Sequence, residues 1–255
     1  MAELMSYVRE LPMWAAGLLV LLENSLILAV GVLLGTLILK LPSAVRIMPD
    51  PGSTSSLQRW LALSTVLLNS AVTLAGWKLW TMGIIRVSFE WSWTIVPQLL
   101  ALFLIMDLTS YTGHAIAHLK PLFPLAHRLH HRFVDARPLT LFALHPLEVI
   151  GFGAIWIAVL SAFPFSFWAL TGYTAVNLIF GVFGHLGVEP IPAFLRRSPV
   201  FFLVATPTMH AMHHANPARN LGFYTTIWDR LFRTLDAGYD AQRLAERPPA
   251  LALAG

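Results

Sequence analysis

The chain has no cysteine among its 255 residues and little charge, with 12% of residues charged against 56% hydrophobic. Without thiols there is no disulfide, no thiolate zinc site and no iron–sulfur cluster, so any metal must be held by nitrogen and oxygen. So little charge is incompatible with a water-soluble surface and marks a membrane protein. The formal charge of +4 raises nucleic acid as a partner, but the basic residues are scattered among apolar spans without a basic–aromatic array, and no nucleic-acid role is expected. Glycine-rich dinucleotide, flavin and haem motifs are missing as well. Histidine is absent from the first 113 residues; all ten lie between 114 and 214.

What is present is apolar length. Runs over 14–39, 60–82 and 93–118 each reach or exceed the roughly 20 residues that cross a bilayer. The first is too long for a signal-peptide core and has no clear cleavage site, so it is expected to remain a membrane helix, with Glu23 and Asn24 pairing inside the bundle. A further run, 147–184, is broken by FPFSF, where Pro164 reads as the turn of a two-helix hairpin; its single charge is Glu148, at the entrance. The connector PSAVRIMPDPGSTSS cannot be helical throughout. The expected fold is therefore all-α: a polytopic membrane helix bundle of about four or five transmembrane helices, capped by a histidine-rich helical region. Residues 1–92 would form N-terminal helices and connector, 93–236 the histidine-box catalytic domain, and 237–255 a flexible tail.

Of the 17 basic residues, 14 fall at the histidine-bearing ends of these spans and only Arg9, Lys78 and Arg86 at the other. The positive-inside rule then puts the histidines at the cytoplasmic surface and the N-terminus outside, with five crossings. Arginine outnumbers lysine fourteen to three, which points to a GC-rich bacterium and its inner membrane.

The histidines are patterned. HRLHH carries His127, His130 and His131; HAMHH carries His210, His213 and His214 at the same spacing. By chance such a string occurs in roughly one or two chains per hundred of this composition, and twice far more rarely. On a helix the offsets 0, 3 and 4 share about one third of the circumference, so each triplet can aim several imidazoles at one point. Asp107, Tyr111, His114 and His118 make one stripe down the third span, and Asp107 is expected to accept the outward N–H of a ligating imidazole. His185, in GVFGHLG, joins the candidates by company; His145, before Pro146, serves equally well as a structural residue. Nine imidazoles exceed what one ion takes and imply two metals, with zinc, copper, iron and nickel all permitted. The competing account of His127, His130 and His131 is a basic patch for lipid headgroups together with Arg128 and Arg132. A zinc protease is disfavoured because HAIAH carries Ala115 where the general base would stand.

The order of these boxes resembles the fatty acid hydroxylase and sterol desaturase superfamily of membrane di-iron oxygenases. Its signature is His-x3-His, His-x2-His-His, a lone His on a later helix and a second His-x2-His-His. These fall here at His114 and His118; His127, His130 and His131; His185; and His210, His213 and His214. Asp107, Tyr111, the string from Gly184 through Glu189 to Pro192, and NLGFYTTIWDRLFRTLD with Asn220, Gly222, Trp228 and Asp229 also match, over about residues 100–236. Three positions depart from the pattern: Gly181 where relatives often place His or Asn, with Asn177 a turn away; Ala115; and Arg233 in a place usually held by glycine. The resemblance implies the nine histidines as ligands of two Fe ions, which other metals such as zinc can replace in purified protein. It implies Asp107, His145, Asn177, Asn220 and Asp229 around them, O2-dependent hydroxylation or desaturation of a lipid from the membrane, and electrons from a separate reductase, ferredoxin or cytochrome. Phe142, Phe180, Phe183 and Phe223 are candidates to line a lipid tunnel, though bundle packing explains aromatics at such spacings as well. The rival functions are a metal-handling membrane protein, which would need polar residues through several spans and finds mainly Glu23 and Asp107, and a zinc-dependent lipid hydrolase, which would need no oxygen.

Overall fold

The computed structural model describes residues 2–50, 52–133 and 136–251. A short helix, α1 (Ala2–Arg9), precedes three long apolar ones: α2 (Met13–Ile38), α3 (Ser56–Thr81) and α4 (Ile95–Ala117). A π-helical turn over Phe123–His127 leads into α5 (Arg128–His131), and a 3-10 turn over Pro138–Phe142 precedes α6 (Pro146–Ala162) and α7 (Phe167–Gly184). Beyond lie α8 (Ala193–Arg196), α9 (Pro207–Ala215), α10 (Ile227–Leu231) and α11 (Tyr239–Leu244). Two strand pairs of two residues each interrupt the helical fold. Val45–Arg46 (β1) pairs antiparallel with Val188–Glu189 (β4), and Val87–Ser88 (β2) pairs parallel with Phe165–Ser166 (β3).

α2, α3, α4 and α7 are long and apolar enough to cross a membrane; α6 is apolar but shorter, at 17 residues. These elements form an integral membrane bundle whose outer face is a belt of exposed Leu, Val and Trp, the surface that lipid tails cover. Packing follows a closed ring: α2 against α3, α3 against α6, α6 against α4, α4 against α7, and α7 back against α2. Both arms of the 147–184 hairpin pack against α4, and they meet each other where Trp156 of α6 stacks on Tyr173 of α7, ring centroids 5.2 Å apart. α2 packs through small residues: a Cβ on Gly31 would meet the Phe142 ring at 3.0 Å and one on Gly35 would meet Pro138 at 2.6 Å. Asn24 is buried and donates to the Val20 carbonyl at 2.9 Å and the Thr73 hydroxyl at 3.4 Å, whereas Glu23, expected to pair inside the bundle, lies on the exposed side of α2.

The ring places the C-terminal ends of α2, α4 and α7 and the N-terminal ends of α3 and α6 at one end of the bundle, where β1 and β4 join. The segments carrying α5 and α9 to α11 cap that end. Residues past 237, expected to be loose, include α11, whose Tyr239 is wholly buried, and the Leu251 N–H donates to the Ile47 carbonyl at 2.9 Å. The last four residues of the tail lie outside the described residues.

Candidate metal centre

Nine of the ten histidines meet at this capped end. His114 and His118 come from the last turn of α4, His127, His130 and His131 from the π turn and α5, His185 from the end of α7, and His210, His213 and His214 from α9. They divide into two groups, one of His114, His118, His127, His131 and His213 and one of His130, His185, His210 and His214. Within each group one ligand atom per residue lies within 4.8 Å of all the others. The division cuts across both triplets. The first sends its outer pair, offsets 0 and 4, to the five-membered group and its middle histidine to the other; the second does the reverse. Offsets 0 and 4 lie about 40° apart on a helix while 3 and 4 lie about 100° apart, so His-x-x-His-His serves two neighbouring points from one turn.

Ring nitrogens are oriented as metal ligands require. His114 Nδ1 donates to the Leu221 carbonyl at 2.8 Å, His213 Nδ1 to the Arg219 carbonyl at 2.7 Å and His185 Nδ1 to the Gly181 carbonyl at 2.8 Å. His127 Nδ1 lies 2.9 Å from the Glu148 carboxylate. A carbonyl or carboxylate only accepts, so these imidazoles carry their proton on Nδ1 and turn bare lone pairs inward on Nε2. Yet Nε2 atoms of His114 and His127 lie 2.9 Å apart, those of His118 and His114 3.2 Å, and those of His213 and His131 3.1 Å. In the other group His185 lies 3.4 Å from His130 and His214 lies 3.2 Å from His210. In the His114–His127 pair both facing lone pairs are bare, and at 2.9 Å they repel unless a cation stands between them. An ion bonded to nitrogen at about 2.0–2.1 Å separates neighbouring ligands by about 2.9 Å at a right angle and about 3.3 Å at a tetrahedral one, and the measured spacings span that range. The residues fit two metal ions.

Burial keeps the imidazoles neutral, the state that binds metal. It holds His118 at about 4 against an ordinary 6.5. It also holds His131 at about 3 and His127 at about 2, with positive charge on neighbouring imidazoles lowering both further. His185 lies at about 4, burial outweighing the opposing bond to Gly181. His130, His210, His213 and His214 lie well below the ordinary value, again through burial first and neighbouring imidazoles second.

The surrounding residues are assigned differently from the expectation. Asp107 touches no histidine: it accepts from the Tyr224 and Thr225 backbone N–H groups at 3.2 and 3.3 Å, the Thr225 hydroxyl at 2.5 Å and Trp228 Nε1 at 3.0 Å. Captured by backbone and indole donors from residues 224–228, it fastens that segment to α4. The carboxylate that does hold an imidazole is Glu148, in the first turn of α6; its signal in the sequence was being the sole charge of that apolar run. Asp229 acts one step back, accepting from the Leu221 and Gly222 N–H groups at 2.8 and 2.7 Å and so fixing the loop whose Leu221 carbonyl orients His114. Gly222 is obligatory here, since a Cβ would meet Asp229 Oδ2 and the Thr225 carbonyl at 2.7 Å. Asn220, at φ 57°, ties α9 to the following hairpin by donating to the Met209 carbonyl and accepting from the Asp236 N–H. His145 caps α6, its Nδ1 accepting from the Leu147 N–H at 3.2 Å, and belongs to neither group. Asn177 accepts from the Tyr224 hydroxyl at 2.6 Å, away from both groups, and a Cβ on Gly181 would meet Leu141 at 2.9 Å, so that leucine fills the room a ligand there would need. Glu189 binds the Thr208 N–H and hydroxyl at 3.3 and 2.8 Å, anchoring the first turn of α9.

Among the four aromatics considered for a tunnel, Phe180 and Phe183 line an apolar cavity of about 350 Å3 between the end of α2, α7 and residues 190–205. Phe142 instead packs on α2 at Gly31, and Phe223 packs against the His114 ring, centroids 4.8 Å apart.

Two groups of buried, Nε2-convergent histidines under a membrane bundle define a histidine-box membrane protein. The sequence profile of the fatty acid hydroxylase family matches residues 99–234, which hold all nine of these histidines, and the chain belongs to that family. It is 32% identical over 138 residues to a very-long-chain aldehyde decarbonylase of Oryza sativa subsp. indica, covering 50% of this chain and 22% of the decarbonylase. A second decarbonylase of the same plant is 26% identical over 137 residues, 51% of this chain and 22% of its own length. Methylsterol monooxygenase 1 of Gallus gallus is 25% identical over 214 residues, 81% of this chain and 71% of the monooxygenase. The chain thus spans about a fifth of the length of the decarbonylases. No solved structure matches it.

Proposed function

We propose that the nine histidines hold two iron ions and that the chain is a membrane oxygenase which hydroxylates an unactivated C–H bond of a lipid. The balance is RH + O2 + 2 electrons + 2 H+ giving ROH + H2O, with the electrons drawn from a separate carrier. Bound iron supplies the reduction of O2 and the removal of hydrogen from carbon. The chain's own residues bind the ions through Nε2, orient the rings of His114, His127, His185 and His213 through acceptors at Nδ1, and bury the site from bulk water. The observation that carries the proposal is the convergence of nine imidazoles into two groups in a thiol-free site, with the proton-free Nε2 atoms of His114 and His127 facing each other at 2.9 Å. A family that includes a methylsterol monooxygenase supports oxygen chemistry over hydrolysis.

The apolar cavity is the proposed place of the lipid chain. It is lined by Ile38 and Leu41 at the end of α2 and by Phe180 and Phe183 on α7, with Phe183 two residues before His185, so a chain can slide in sideways from the bilayer toward the four-membered group. The histidine end faces the cytoplasm of a bacterial inner membrane, on the distribution of basic residues. Expression under air with lipid mass spectrometry tests the function: a product one oxygen heavier is expected, two hydrogens lighter identifies desaturation, and product formation that persists without O2 refutes both. Metal analysis should return two irons per chain.

A further inference from the structure

We infer that this chain docks an acidic one-electron carrier protein on a basic rim beside the five-membered histidine group, centred on Arg233. The inference rests on the oxidative function proposed above and concerns where electrons enter. The two histidine groups have unlike surroundings. His185 of the four-membered group lies two residues beyond Phe183, which lines the apolar cavity. The five-membered group is flanked by exposed cations: Lys120 is two residues from His118, Arg128 follows His127, Arg132 follows His131, and Arg219 supplies the carbonyl that binds His213. Lys120, Arg128, Arg132 and Arg233 form no ion pair among the described residues, and residues 119–133 contain no acidic residue. In 213–235 the only carboxylate is Asp229, which is buried and occupied by backbone donors.

Arg233 adds the decisive detail. Its backbone sits at φ 60°, a left-handed conformation that favours glycine, and its exposed side chain has no partner among the described residues. A large cation therefore faces solvent at a position whose backbone favours glycine. The Arg233 carbonyl accepts from the Arg219 guanidinium at 2.8 Å, and the Arg219 carbonyl accepts from His213 Nδ1 at 2.7 Å. Two hydrogen bonds therefore link the backbone at Arg233, through Arg219, to an imidazole of the site. An anionic membrane surface would attract any cation at this end of the bundle, whereas Arg128 and Arg132 each follow a histidine of the five-membered group and Arg219 binds one through its carbonyl, the proximity an electron donor requires. Each docking event moves one electron: the carrier is oxidised by one, the metal centre is reduced by one, no bond is made or broken, and two events supply one turnover.

The full chain in nanodiscs of zwitterionic lipid, with a reduced plant-type ferredoxin as probe, tests this. Arg233→Gly should keep its metal content and raise Tm by relieving the backbone, while weakening ferredoxin binding about 5-fold at low salt. Adding Arg128→Gln and Arg132→Gln should bring the loss to about 30-fold and flatten the dependence of Kd on salt. Reduction of the centre by ferredoxin, taken relative to reduction by dithionite, which needs no docking, should fall in step. Equal ferredoxin affinity in parent and variants at every salt concentration overturns the inference, as does a variant that alters only binding to anionic vesicles. Ferredoxin binding needs no turnover, so a chain that binds it through these arginines yet takes up no iron keeps the docking site and defeats the oxidative function alone.

Discussion

Replacing Glu148 isolates one ligand's support without touching a ligand. Its carboxylate lies 2.9 Å from His127 Nδ1, and both side chains are buried, 5% and 2% exposed. Glu148→Gln keeps shape and an acceptor oxygen but loses the charge; Glu148→Leu removes the acceptor and leaves a buried N–H unpaired. A hydrogen bond to a charged group contributes about 1.5–3 kcal/mol, and loss of the partner behind a metal-binding histidine costs about 10–100-fold in metal affinity, equivalent to about 1.4–2.7 kcal/mol. The glutamine should sit near the lower limit and the leucine near the upper. His127 serves only the five-membered group, so the loss should fall on one ion of two. The assay is competition with a graded chelator followed by metal analysis: the parent should release two ions late, and Glu148→Leu one early and one late. A leucine variant that keeps both ions with parental release would refute the role given to Glu148, and equal early loss of both would refute the division into two groups.

Acidification gives a second test. With imidazoles held as low as about 4 (His118, His185) and about 2 (His127), metal should be retained at about pH 6, where a free imidazole is mostly protonated, and lost only as pH falls toward about 4. The metal-free fold should weaken over the same window: the unfolded chain takes up protons below about 6.5 while the folded one does not, so stability falls with pH, as acid melting curves would register. Gly222→Ala forces a Cβ to within 2.7 Å of Asp229 and the Thr225 carbonyl, and should cost about 1–3 kcal/mol and loosen the loop that orients His114, read as a lower Tm. His213→Ala should deplete the five-membered group and His210→Ala the four-membered group, although the two residues lie in one box; identical depletion patterns would contradict the crossed assignment.

Much of this was legible in the sequence because membrane spans are written in length and hydropathy. The expected limits 14–39 and 93–118 differ from α2 and α4 by a residue or two, and the break at Pro164 marks where α6 ends. The nine histidines were legible because helical offsets and box order are local. Neighbours were not: apolar length carries no record of which span packs on which, and nothing in 147–184 announced that both its arms would pack on α4. Asp107 was assigned to a histidine because it shares their stripe on α4, but helical phase cannot reveal donors arriving from Tyr224, Thr225 and Trp228, more than a hundred residues on. Glu148 showed the reverse, since its partner lies 21 residues earlier across an irregular turn. Gly181 and Leu141 exchange space across two segments, a compensation that only coordinates reveal.

The enclosure of α4 bears on biogenesis. Both neighbours of α4 in the ring are synthesised after it, so translation delivers the middle member of this arc first. The crossing at 163–166 is latched on the far side, where β3 pairs with β2 and the Ser166 N–H donates to Gln98 of α4 at 2.6 Å. Moving the segment 95–117 to the end of the gene would leave the ring open between α6 and α7 until its last member arrived.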